Sequence, residues 1–263
     1  MKIMLENCAG LDVHQSSVVV CIMTGSGKNA KKELKKFGTM TDDIRNLGTW
    51  LKDNSIQDVA MESTGIYWVP IVNILEGEMG FNIALTNAKQ IKNVLGKKTD
   101  IKDAQWICEL FKYGLIAKSF IASREIRRIR SLSRYRKSLI EDAATAKNRI
   151  IKTLEACNVK IASVISNVFC DSGRKIIQAI ANNECRPDRL VKLVNKNARV
   201  EKTELIRALT GTFEKDDCIE LRLKLEQLSQ LEQAIAELDY RIERLCAPYE
   251  AEIELIPILK INS

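Results

Sequence analysis

Histidine occurs once in the 263 residues, at His14. A multi-histidine metal site is therefore excluded, and any histidine-dependent triad has one residue to draw on. The eight cysteines, at 8, 21, 108, 157, 170, 185, 218 and 246, come no closer than 13 residues in sequence. No CxxC pair exists, which removes zinc knuckles and thioredoxin-type redox motifs. The cysteines read as small buried hydrophobes of a reducing compartment. The longest apolar run is 18–23, far short of the roughly 20 residues a membrane helix needs. Glu6 interrupts the N-terminus before a secretory signal develops. A cytoplasmic protein without a membrane partner is expected, with its chemistry left to carboxylates, hydroxyls and thiols.

Positive charge is present but unevenly placed. The chain holds 41 Lys and Arg against 34 Asp and Glu, a net +7. Residues 89–160 hold 18 of those bases and 7 of the acids, leaving 23 bases and 27 acids elsewhere. Arg124, Arg127, Arg128, Arg130, Arg134, Arg136 and Lys137 fall within 14 residues, with Glu125 the one acid among them. A solvated helix face ordinarily mixes its charges; this cluster is the electrostatic footprint of a phosphate-backbone partner. Lys97 and Lys98 are further candidates for that contact.

Along the chain, 7–13 and 17–23 read as β-rich runs separated by His14-Gln15-Ser16, and 33–37 reads as a third strand. The intervening Gly25-Ser26-Gly27-Lys28 is a hairpin turn. It lacks the first glycine of a phosphate loop, where Ile22 stands, and Asn29 replaces the Ser/Thr. A helix is expected over 41–54 with Thr41 as its N-cap, a strand over 59–62, a helix over 67–79 and a strand over 81–85. Another helix is expected over 100–115, capped by Thr99. That alternation makes an α/β domain. Beyond residue 120 the strand signals stop. Ile126, Ile129, Leu132, Leu139, Ala143, Ala146, Ile150 and Leu154 recur at helical spacing, with a lapse at Arg136. Residues 160–215 read as short helices broken near Arg186-Pro187. Leu221, Leu225, Leu228, Leu231, Ile235, Leu238, Ile242, Leu245 and Tyr249 then form a coiled-coil-like seam with one slip. Self-dimerisation or an intramolecular helical hairpin is expected there.

Asp12 sits inside the apolar strand Ala9-Gly10-Leu11-Asp12-Val13, where a lone carboxylate is costly unless it is paired or metal-bound. Glu62 ends Val59-Ala60-Met61 in the same way. Asp100 and Asp103 share one helical face. Four such carboxylates can converge on two Mg²⁺ or Mn²⁺ ions, the arrangement that serves phosphodiester chemistry. Each acid alone also fits an edge residue, a cap or a helix surface.

Four blocks occur in order: Gly10-Leu11-Asp12-Val13-His14, then Met61-Glu62-Ser63-Thr64-Gly65-Ile66-Tyr67-Trp68, then Asn87-Ala88-Lys89-Gln90-Ile91-Lys92, then Lys98-Thr99-Asp100-Ile101-Lys102-Asp103-Ala104. Together they resemble the DEDD transposases of bacterial insertion sequences, bridge-RNA-guided recombinases with a RuvC-like N-terminal domain. The resemblance implies an α/β RNase H-like (RuvC-like) domain over 1–118, a basic helical nucleic-acid-binding region over 119–215 and a coiled coil over 216–256. It implies that Asp12, Glu62, Asp100 and Asp103 are the catalytic, metal-binding tetrad, with Mg²⁺ or Mn²⁺ as cofactor. DNA, a guide RNA and a second copy of the chain are the implied partners. His14 reads as local packing or polar support beside the first acid, and Tyr67 and Trp68 as braces of the Glu62 turn in preference to base-stacking platforms.

The family continues after its coiled coil into a Gly-rich hairpin and a domain that carries a nucleophilic serine. Here 257–263 is expected to be the start of that domain, with Pro257 in place and Ile258 and Lys260 where glycines are expected. No serine of 1–263 is expected to inherit the nucleophile's role. The expected function is a transposase that cuts and joins DNA. Two alternatives stay open: an inactive nucleic-acid-binding and oligomerising fragment, and a RuvC-like structure-specific nuclease.

Overall fold

The computed structural model describes residues 3–26, 30–62, 65–86, 100–116, 119–194 and 201–250, with the side chains of 100–102 left out of the description. Thr99, Lys97, Lys98, the block 87–92, the tip of the Gly-Ser-Gly-Lys turn and residues 257–263 lie outside the described residues. The chain divides into two compact units, Met1–Arg124 and Glu125–Ser263.

The first unit is a five-stranded sheet covered on both faces. Its strands are β1 (Cys8–Val13), β2 (Val18–Thr24), β3 (Lys31–Phe37), β4 (Asp58–Glu62) and β5 (Asn82–Thr86), in the order β3-β2-β1-β4-β5. β2 is antiparallel to β1 and β3, while β1, β4 and β5 run parallel. A central β1 flanked by an antiparallel hairpin and two parallel strands is the RNase H-like sheet that the order of the motifs implied. Every residue of β1 is buried, as a central strand with helices on both faces requires. β3 is one edge, and all but its last residue are exposed, with four lysines along it.

Helices α1 (Thr41–Asp53) and α2 (Trp68–Leu75) cover one face, where Ile44, Leu47, Leu51, Ile71 and Leu75 pack on Leu11, Val20, Val59 and Met61. α3 (Asp100–Lys112) covers the other, where Ala104, Ile107 and Cys108 pack on Cys8, Cys21, Ala60 and Ala84. Two sequence expectations shift here. Thr41 is the first helical residue of α1, with Met40 at the cap position donating its N–H to Asp43. The helix expected over 67–79 ends at Leu75, and the chain leaves it through Gly80 at φ +78°. The apolar periodicity of the sequence simply continues past the point where the backbone turns.

The second unit is helical: α4 (Arg124–Ala156), α5 (Ile161–Val164), α6 (Asp171–Ala181), α7 (Pro187–Leu190), α8 (Lys202–Leu209) and α9 (Lys215–Cys246). Pro187 opens α7, a position that needs no backbone N–H. α4 and α9 run antiparallel, tied by Glu125–Tyr249, Arg136–Asp239, Lys147–Glu232 and Thr153–Lys224. Leu221 and Leu228 of the α9 seam are buried among Ala146, Ile150 and Leu154 of α4 and Ile176, Ile177 and Ile180 of α6. The first half of the seam is therefore satisfied within the chain. No described helix is long and apolar enough to cross a membrane.

Candidate active site

Three contacts fix where α3 lies on the sheet. At its C-terminal end the buried Lys112 donates to the carbonyls of Glu6, at 3.0 Å, and Gly25, at 2.7 Å. A buried ammonium needs such acceptors, and at a helix C-terminus the dipole favours it further. One strand residue pair along, Cys108 lies against Cys8, their sulfurs 3.8 Å apart. At Gly10 the helix backbone itself touches the strand: a Cβ there would sit 2.3 Å from Cys108 N and 2.5 Å from Ala104 O. Lys112, Cys108 and Ala104 thus meet positions 6, 8 and 10 in turn, so α3 runs antiparallel to β1. Its first turn, with Asp103 and the backbone of Asp100, is directed toward the Asp12 end of the strand.

The strand register supplies the rest. Leu11 pairs with Met61, so the next step along the two parallel strands sets Asp12 beside Glu62. Glu62 pairs with Thr86, and on the other side Asp12 pairs with Val19, which pairs with Lys36. Lys36, Val19, Asp12, Glu62 and Thr86 form one transverse row. Directly paired residues project to one face, and this is the α3 face: Lys32, two residues before Lys36, reaches Glu109 of α3 at 3.0 Å. With strands about 4.8 Å apart, Lys36 and Asp12 stand roughly 10 Å apart at the backbone.

Asp12 is 9% exposed, and Glu62 and Asp103 are partly exposed. The imidazole Nε2 of His14 hydrogen-bonds Asp12 Oδ2 at 3.0 Å, the polar support expected of it. Trp68 closes the Glu62 turn by donating its indole N–H to the Gly65 carbonyl at 3.1 Å, while Tyr67 and Ile66 face outward. Among the described residues no three His, Cys, Asp or Glu side chains gather closely enough to hold a metal ion. The Asp100 side chain lies outside the described residues.

Behind the site the thiols of Cys8, Cys21 and Cys108 are packed between sheet and helix. Hydrogen bonding to Cys21 and Cys8, with burial, pushes Cys108 far above the ordinary thiol value, so it remains a neutral thiol.

The expected nucleic-acid residues divide in two. Arg124, Arg128, Arg130, Arg134 and Lys137 are exposed on α4, and Arg127 is partly exposed. Arg136 differs. It falls at the lapse in the apolar stripe, on the face that carries Leu132, Leu139 and Ala143, and there it forms a two-pronged pair with Asp239. Thr86 and Lys36 carry no mark in the sequence, because only the strand register places them in row with Asp12 and Glu62.

A family model described as a transposase, of the DEDD type, matches residues 9–159. No curated protein matches the chain. Among solved structures, the RuvC of Thermus thermophilus is similar at 13% identity and a TM-score of 0.34, over 43% of this chain and 99% of that one. The Fowlpox virus resolvase, solved in complex with Holliday junction DNA, is similar at 10% identity and a TM-score of 0.31, over 41% of this chain and 99% of that one.

Proposed function

The chain belongs to the DEDD transposase family, enzymes of the nuclease and recombinase class, and on that premise we propose that its acidic row serves DNA strand cleavage and transfer for an insertion element. The observation that carries the reading is Asp12, a carboxylate buried in a central apolar strand, in row with Glu62 and approached by the first turn of α3. Such a charge is costly to bury; His14 answers it in part at Oδ2, and a cation would stabilise it further.

The donors suit a hard divalent ion. Mg²⁺ is ordinarily held by one or two carboxylates and keeps several of its waters, which the two neighbouring strand-end carboxylates can supply. Asp12 and Glu62, neighbours in the row, would hold it, and Asp103 and Asp100 are the further acids that the family resemblance assigns to it. When bound, the ion supplies charge stabilisation to the phosphodiester oxygens and makes an attacking hydroxyl more acidic. The chain's own residues do the rest. His14 orients the Asp12 carboxylate, Trp68 holds the Glu62 turn, and Lys36 offers a cation to a phosphate on the same face of the sheet.

Arg124, Arg127, Arg128, Arg130, Arg134 and Lys137 contact the phosphate backbone of DNA or of a guide RNA. Arg136 serves the α4–α9 pair. A second copy docks on the outer face of α9, where Ile219, Leu223 and Tyr240 are exposed. Excision and joining of a marked donor element tests the function. Asp12→Asn is expected to lower product on the order of 100-fold or more with nucleic-acid binding retained. Metal-dependent cutting of branched DNA without joining would mark a junction nuclease, and an Asp12→Asn protein as active as wild type would refute the site.

A further inference from the structure

Glu62 and Thr86 are partners at the last rung of the β4–β5 ladder, so both side chains leave the sheet on the α3 face. Thr86 is 1% exposed, and its hydroxyl oxygen has no hydrogen-bond partner among the described residues. A buried hydroxyl left unbonded is destabilising, and native structures rarely keep one without a use. Valine would fill the same volume without that cost, so packing does not account for threonine at this position. A group that arrives only with binding does.

We infer that Thr86 is a positioning residue of the acidic site, its hydroxyl hydrogen-bonding a water that a divalent ion carries in beside Glu62. The inference rests on the reading of Asp12 and Glu62 as ion ligands and extends it to a residue outside the tetrad. A small, strongly hydrated cation retains waters that need acceptors, and groups that hold such waters and ligands govern affinity nearly as much as the ligands do. Thr86 supplies one acceptor and one donor directly beside Glu62, buried at the end of the row.

Mn²⁺ serves as the probe, titrated into the full chain and followed by the loss of its free-ion paramagnetic resonance signal. Wild type is compared with Thr86→Val, Thr86→Ser and Asp12→Asn, and each ion-free protein is melted. Thr86→Val is expected to weaken Mn²⁺ binding on the order of tenfold, and Thr86→Ser to stay within about twofold of wild type. The ion-free melting temperature of Thr86→Val is expected to equal or exceed that of wild type. Unchanged Mn²⁺ affinity in Thr86→Val, with affinity lost in Asp12→Asn, overturns the inference and leaves the site intact. A lower ion-free melting temperature for Thr86→Val also overturns it, since the hydroxyl is then already bonded within the protein. Unchanged affinity in Asp12→Asn overturns the ion site itself.

Discussion

Replacing Gly10 with alanine places a methyl group where the backbone of α3 already is. The added carbon would lie 2.3 Å from Cys108 N, 2.5 Å from Ala104 O and 2.8 Å from Cys108 Cα. Ordinary contact begins near 3.4 Å, so the helix must lift from β1 by about 1 Å. Overpacking of that kind costs about 1–3 kcal/mol, which at this domain size lowers the melting temperature by about 4–12 °C. The same lift carries the first turn of α3 away from Asp12, and Mn²⁺ affinity is expected to fall on the order of tenfold. Thermal unfolding and Mn²⁺ titration of Gly10→Ala read the two effects separately. Because the obstruction is backbone, adding Cys108→Ala does not restore either. A Gly10→Ala protein that melts within a degree or two of wild type and binds Mn²⁺ normally would refute the placement of α3 against β1.

The remaining expectations concern the helical unit. Arg134→Ala should reduce the salt dependence of nucleic-acid binding by about one unit of slope, whereas Arg136→Ala should leave binding nearly unchanged and lower thermal stability, as filter binding and melting curves would show. Arg174 meets both oxygens of Glu232, at 2.9 and 2.6 Å, and holds that carboxyl below its ordinary value. A depressed carboxyl stabilises the fold above the ordinary value of about 4.3 and loses that contribution as the pH falls through its folded value. Arg174→Met should therefore cost up to about 1 kcal/mol at pH 7, the pair being part-exposed, and the difference should vanish in strong acid. Burial, with Asp217 nearby, pushes the Cys157 thiol up to about 11. At pH 8, iodoacetamide should label the more exposed Cys170 and Cys246 before Cys157, as peptide mapping would show.

Asp12 and Glu62 were legible in the sequence because a buried strand is written locally, as an apolar run, and a carboxylate breaks it. Four of the five strands were legible for the same reason, whereas β3, exposed and carrying four lysines, followed from the hairpin turn before it. Thr86 and Lys36 were not, because their place beside those acids depends on which strands pair and in what register, and that information is not local. An unneeded hydroxyl two residues after Ala84 was the one available hint for Thr86. Arg136 appeared as a gap in a helical stripe. The period showed which face it lies on, but nothing nearby in sequence names Asp239, 103 residues away, as its partner. The end of α2 was overread because Met79 keeps the apolar pattern after the helix has stopped, whereas Gly80, the true sign of the turn, is a single residue.

The central claim is that a divalent ion is held where β1, β4 and the first turn of α3 meet. The anomalous difference map of Mn²⁺-soaked crystals tests it most directly. The account predicts a peak within about 2.1–2.3 Å of carboxylate oxygens of Asp12 and Glu62, absent from crystals of Asp12→Asn. A saturating soak that leaves this end of the sheet empty, or that places the ion on other residues, would contradict it.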